Sequence, residues 1–268
     1  MARPAEPSPV GLWSEKAMRF FHVAFARSFA GSFRALRIPP WGMPEDHPGR
    51  ALVVYANHPG WWDGVMFMLL LRRFHPGRPA FIPMDAAALR KYPFMRRLGV
   101  FPVEQESARG AVAFLRTARE VLEGDRHMLW MNAPGRFCDV RERPVPISPG
   151  MVRLPEIAPH ALFIPLAFEY TYWTEKRGEA LAAFGPAIEG AELAALPRPE
   201  RAERLRAALT AVMDRLAADA MTRDPSRFVT VVEGGAGVGG IYGFWQYLKA
   251  LARREKHDPH HDPRAGRS

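Results

Sequence analysis

With 268 residues, 48% hydrophobic and 24% charged, the chain has enough apolar material for one large α/β domain with a real core. A single cysteine, Cys138, excludes an internal disulfide and a cysteine-based zinc cluster, and fits a reducing compartment. The net charge of +9, carried mostly by arginine, suggests an anionic partner: lipid head groups, a phosphorylated substrate or nucleic acid. Scattered arginines, with neither a zinc-finger pattern nor an RNA-binding aromatic signature, argue against nucleic acid.

The first ten residues are rich in proline and are expected to be disordered. They lack the apolar core of a secretion signal, and the chain has no uncharged apolar run long enough to span a bilayer, so a cytoplasmic location is expected. From Leu12 to about Leu36 the pattern predicts a helix with Phe21, Phe25 and Phe29 at four-residue spacing, continued by Phe33 and Leu36. Lys16, Arg19, Arg27, Arg34 and Arg37 are interleaved with them. An amphipathic helix of this kind lies in a membrane interface or packs on its own protein; periodicity leaves both open, and the basic polar face favours the membrane.

The central stretch is Ala51–Gly64, ALVVYANHPGWWDG. Its β-branched start reads as a buried strand, which Pro59 and Gly60 end. Asp63 then opens an apolar, helix-like run. His58 at a strand's carboxyl end and Asp63 at a helix start can pair, leaving one imidazole nitrogen free to take a proton from a hydroxyl. Alternatively, Asp63 merely caps the helix and His58 is a turn residue. Strand ends of open α/β sheets are where ligands bind.

Asn57-His58, four further residues and Asp63, with Trp61 and Trp62 between them, resemble the signature Asn-His-x4-Asp of the PlsC-like glycerolipid and lysophospholipid acyltransferases. The resemblance covers roughly residues 50–190. It implies acyl transfer from acyl-CoA or acyl carrier protein to a lysophospholipid hydroxyl, 1-acylglycerol-3-phosphate by default, at the inner face of the cell membrane. His58 would be the general base and Asp63 its orienting partner, with no cofactor and no metal. Asn57, Gly60, Trp61 and Trp62 would line the substrate site, and backbone N–H groups near Gly60–Trp62 are candidate oxyanion donors.

Downstream, the pattern predicts strands at Ala80–Pro83, Val100–Val103, His127–Met131, Ala161–Tyr170 and near Leu181–Phe184. Helical segments are expected around Ala86–Arg97 and Pro149–Glu156, from Ser107 to Glu123, and over Glu200–Met221. Val112, Leu115, Ala118 and Leu122 should form the core face of the 107–123 helix. Alternation of strands and helices predicts an α/β fold: a mostly parallel central sheet with helices on both faces, preceded by the amphipathic helix. The expected division is 1–40 for start and interface helix, 41–255 for the acyltransferase domain and 256–268 for a polar tail.

Other family motifs are only partly present. In Gly99–Gln105 the glycine and Phe101 match, but Glu104 and Gln105 stand where an acceptor-phosphate arginine would fall. In Asn132–Phe137, where the family usually reads Pro-Glu-Gly-Thr-Arg, Gly135 fits, Pro134 replaces the glutamate and Arg136 is displaced by one residue. Ile164-Pro165-Leu166-Ala167 resembles a fourth, apolar motif centred on Pro165. Arg96, Arg97 and Arg136 are candidates for meeting CoA or lipid phosphates. A serine or cysteine hydrolase is argued against by the absence of G-x-S-x-G and the solitary Cys138. The glycines of Gly235–Gly240 form a G-x-G-x-x-G too near the end for a dinucleotide fold and read as a turn. The tail from His257 to Asp262 is assigned no metal site.

Overall fold

The computed structural model describes residues 7–104 and 107–235; positions 236–240 of the glycine run and the 256–268 tail lie outside them. The order of elements is α1 (Pro9–Leu12), α2 (Glu15–Ser32), β1 (Phe33–Ile38), β2 (Leu52–Ala56), α3 (Asp63–Phe74), β3 (Ala80–Asp85), α4 (Ala86–Lys91), β4 (Val100–Val103), α5 (Ala108–Leu122), β5 (Met128–Asn132), α6 (Pro149–Ile157), β6 (Leu162–Thr171), β7 (Gly178–Phe184), β8 (Ile188–Glu189), α7 (Gly190–Ala195), α8 (Arg198–Met221) and β9 (Val229–Glu233). The strands form one sheet in the order β4-β3-β5-β2-β6-β7-β1-β9, with β8 also on β6. The five strands from β4 to β6 are parallel, whereas β6 pairs antiparallel with β7. Expected α/β architecture and observed sheet agree.

Both faces are covered. Val53 and Tyr55 of β2 point into a core closed by Phe114 and Ala118 of α5, Met151 of α6 and Leu205, Leu209 and Leu216 of α8. Leu52, Val54 and Ala56 point the other way, against Phe67, Leu69 and Leu70 of α3 and Phe29 of α2. Strand β2 is thus buried on both sides, which is why its sequence runs apolar without alternation.

Three expectations need correction. The helix predicted to reach Leu36 stops at Ser32, and Phe33–Ile38 instead form β1, parallel to β7 and antiparallel to β9. Arg34 and Arg37 are therefore not a cationic helix face. They are buried against Glu179 of β7, at 3.4 Å and 2.9 Å, and Arg37 also donates to the Thr230 hydroxyl of β9 at 2.7 Å. The helix expected over Ala86–Arg97 breaks at Tyr92, because Pro93 cannot continue it; a 3-10 turn follows over Pro93–Leu98. Helix α5 starts at its expected cap, with Ser107 Oγ accepting from the Gly110 N–H, but buries a rotated face. Gly110, Phe114, Ala118, Val121 and Leu122 point inward, while Val112 is 68% exposed. The bulky Phe114, stacked on Phe101 at 6.4 Å, sets that rotation.

At the amino end, Ser8 caps the turn Pro9–Leu12, so helical structure begins within the proline-rich start. The three-phenylalanine stripe of α2 packs inward. Phe29 is fully buried, Phe25 leans on the α3-side core, and Phe21 stacks on Phe94 at 4.6 Å. Lys16, Arg19, Phe20, Val23 and Arg27 form its exposed face.

Candidate active site

The site is built at the carboxyl end of β2. Ala56 lies level with Asn132 of β5 and Leu166 of β6, and the chain leaves the sheet at Asn57. Asn57 is buried and spent on the backbone: its Nδ2 donates to the Phe168 carbonyl at 2.9 Å and its Oδ1 accepts from the Phe168 N–H at 2.7 Å. That two-point clasp on β6 fixes where the turn begins. Asn57 is thus a positioning residue, not the substrate contact expected of it.

Beyond the clasp, Pro59 and Gly60 turn the chain back so that Asp63, in the first turn of α3, meets His58. His58 Nδ1 lies 2.5 Å from Asp63 Oδ2. The Gly60 N–H points at the same oxygen at 3.4 Å, so it serves the carboxylate rather than an oxyanion. Asp63 makes no side-chain cap for α3, whose N-cap is Trp62, so its carboxylate is left to pair with His58 and its neighbours. The carboxylate is fully buried, whereas the His58 side chain keeps 17% of its surface exposed.

Two partners complete the pair, and neither was read from the sequence. Tyr170, near the end of β6, donates its hydroxyl to Asp63 Oδ1 at 2.5 Å. Burial, reinforced by the Asp63 charge, holds its phenol well above the usual range, so it remains a donor. Asn132, the last residue of β5, places its Nδ2 at 3.2 Å from His58 Nε2. An acceptor carboxylate on Nδ1 and an amide donor on Nε2 both favour the tautomer with the proton on Nδ1 and a lone pair on Nε2. That lone pair is what a general base requires. Register across β2, β5 and β6 brings these side chains together, and no local pattern around Asn132 or Tyr170 signals it.

The loop after β5 lies over His58. Cys138 N–H donates to the His58 carbonyl at 2.9 Å, and the Phe137 ring lies 4.3 Å from the imidazole, centroid to centroid. Gly135 adopts φ +71 in this turn, a conformation glycine reaches without strain. Arg136 is exposed and paired with Glu142 at 2.6 Å; that bond raises its pKa further. Trp61 is 69% exposed beside the turn, and Trp62 packs edge-on against Phe33 at 5.0 Å.

Two expected substrate residues lie elsewhere. Phe101 is buried in β4 against α5, three strands and about 14 Å from β2 at the usual strand spacing. Pro165 sits inside β6 opposite Tyr55, its carbonyl accepting the Gly185 N–H at 2.8 Å. Both are core residues. Of the guanidinium groups suggested for phosphates, Arg97 is exposed and Arg96 half-buried, both on the Pro93–Leu98 turn beside β4. Among the described residues no group of three or more His, Cys, Asp or Glu side chains is placed to hold a metal ion.

A mostly parallel α/β sheet with a histidine paired to a buried aspartate at its strand ends has the arrangement needed to take a proton from a hydroxyl. Residues 42–169 match the Acyltransferase family model. That match identifies this region as an acyltransferase domain of the PlsC-like family and supports a transferase that moves acyl groups. A comparison with curated proteins gave no match.

Proposed function

We propose that the protein transfers a fatty acyl group from acyl-CoA or acyl carrier protein to the hydroxyl of a lysophospholipid at the membrane surface, in membrane lipid synthesis. The observation that carries this is the His58–Asp63 pair, with Nδ1 bound to a buried carboxylate and Nε2 facing the Asn132 amide. The acceptor hydroxyl gives its proton to Nε2 as its oxygen attacks the thioester carbon. Asp63 stabilises the imidazolium, and the thiolate departs as a good leaving group. General base catalysis of this kind contributes about 10²–10⁴-fold.

Membrane contact would come through the exposed side of α2, where Lys16, Arg19 and Arg27 suit anionic head groups and Phe20 and Val23 suit the acyl boundary. Tyr92 and Phe94 extend this surface. No helix among the described residues is long and apolar enough to cross a membrane. Replacing Lys16, Arg19 and Arg27 by Glu and Phe20 by Ser is expected to abolish sedimentation with anionic vesicles while the melting temperature holds. Unchanged sedimentation would refute this surface. By contrast Phe29→Ser should destabilise the fold by about 3–5 kcal/mol, because that ring is core.

A second reading, an acceptor without a phosphate monoester such as an aminolipid or lipid glycoside, is favoured by one observation: Arg136 is engaged by Glu142. Purified protein and His58→Ala, each given labelled acyl-CoA or acyl carrier protein and a total lysolipid extract, decide between them. Label in one lipid class with wild type alone establishes reaction, base and acceptor. Label in no lipid with either donor sinks the catalytic proposal and leaves lipid binding as the alternative.

A further inference from the structure

Asn132 stands immediately ahead of the eroded Ala133–Arg136 stretch and is held firmly. Its main chain is level with Ala56 in the sheet, its carbonyl accepts the Gly135 N–H at 3.0 Å, and the next residue, Ala133, donates to the Ala56 carbonyl at 2.7 Å. Alternation along β5 puts the Asn132 side chain on the same face as Trp130, the face that α3 covers and on which Asp63 lies. Its two amide atoms are used unequally. Nδ2 meets His58 Nε2 at 3.2 Å, while Oδ1 is buried without a partner.

Amide orientation is fixed here by chemistry. With the Nδ1 proton committed to Asp63, Nε2 presents a lone pair, and turning the amide over would set Oδ1 lone pairs against it. Nor is the amide needed to aim the ring. Asp63 on Nδ1, Phe137 across the ring face and Cys138 on the His58 carbonyl already do that. A buried N–H donor beside the reacting nitrogen is therefore left with a second use.

We propose that Asn132 Nδ2 is an oxyanion donor of the acyl transfer, capping Nε2 at rest and donating to the thioester carbonyl oxygen once the acceptor hydroxyl has taken its place. This rests on the acyl-transfer reading above. In the step, the hydroxyl proton passes to Nε2 and an oxygen electron pair forms the C–O bond. The π pair of the carbonyl moves onto its oxygen, where the Asn132 N–H receives it. Return of that pair breaks the C–S bond, and the thiolate leaves with the imidazolium proton at hand. An attacking oxygen bonded to Nε2 lies about 3–3.5 Å from the carbonyl carbon, so the carbonyl oxygen falls among the groups that touch Nε2. Asn132 is such a group, whereas the Gly60 N–H is turned to Asp63.

The test compares wild type, Asn132→Ala, Asn132→Asp and His58→Ala on acyl-CoA and on its dithioester analogue, in which sulfur replaces the carbonyl oxygen. Asn132→Ala is expected to lower kcat by about 10²–10³-fold with KM nearly unchanged. Asn132→Asp, isosteric but without the donor, should do the same, and circular dichroism confirms that both fold. Sulfur accepts hydrogen bonds poorly, so wild type should prefer the oxygen substrate and both Asn132 variants should lose most of that preference. A kcat near wild type overturns the proposal while leaving the His58 reading intact. A lowered kcat with full oxygen preference also overturns it, because the amide would then only position the ring. If wild type transfers no more label than His58→Ala, the acyl-transfer reading falls and this inference falls with it.

Discussion

Two loops meet at His58, and they are built in opposite ways. The β2–α3 turn carries its contacts within itself, since the histidine, its carboxylate partner and the glycine N–H on that carboxylate all lie from His58 to Asp63. The loop after β5 contributes through contacts that exist only in the fold: the Asn132 amide on Nε2, the Phe137 ring on the imidazole and the Cys138 N–H on the His58 carbonyl. A site made inside one turn leaves a spacing in the sequence. One assembled from strand register leaves none. The first loop matches the Asn-His-x4-Asp pattern read from the sequence and the second departs from its expected pattern, yet the second is the one pressed against His58.

If the first loop carries the proton transfer, its variants should have the largest effects. His58→Ala is expected to lower kcat about 10⁴-fold, read as thiol release from acyl-CoA in the presence of acceptor. Asp63→Asn should cost about 10³-fold, because an amide no longer demands the Nδ1 proton and the wrong tautomer becomes accessible. Since the two act as a unit, the double variant should be no slower than His58→Ala alone. Strictly multiplying effects would show that Asp63 does something besides serving His58.

Tyr170 tests whether a third element matters as much as the turn. Phenylalanine there removes the donor from Asp63 Oδ1 and leaves that buried oxygen unpaired. Hydrogen bonds to charged groups are worth about 1.5–3 kcal/mol, and if part of this is lost in the transition state kcat should fall about tenfold with KM unchanged. An unaltered kcat would mean that the Gly60 N–H and His58 alone hold the carboxylate.

Legibility follows the same division. Sheet and helices were readable because apolar runs at Leu52–Ala56 and Leu162–Thr171 and the spacing Leu205, Leu209, Val212, Leu216 are local signals of burial. Boundaries failed where a tertiary partner decided them. Phe33–Ile38 continues a helical spacing in sequence, but buried Glu179 across β7 recruits Arg34 and Arg37 into a strand. The phenylalanine stripe of α2 was legible as apolar, but its target was not, since membrane and protein core demand the same periodicity. Phe101 and Pro165 matched a motif by residue type while the sheet placed them in its core.

The second loop should give the smallest effect, and it bears on the acceptor. Arg136 is exposed and its guanidinium forks onto both oxygens of Glu142, at 2.6 and 3.4 Å. Exposed pairs of this kind contribute little to folding, so Arg136→Ala should leave the melting temperature unchanged. With the guanidinium already engaged, KM for a phosphate-bearing acceptor should change by less than about threefold, against the tenfold or greater rise expected on losing a bidentate phosphate contact. Glu142→Gln sharpens the test by weakening Arg136's partner. If that variant lowers KM for phosphate-bearing acceptors only, the loop can hold a phosphate and Glu142 competes for it. Were neither variant to move KM, head-group recognition would have to come from another part of the surface, and the default acceptor, 1-acylglycerol-3-phosphate, would lose its claim to be preferred over a lipid without a phosphate monoester.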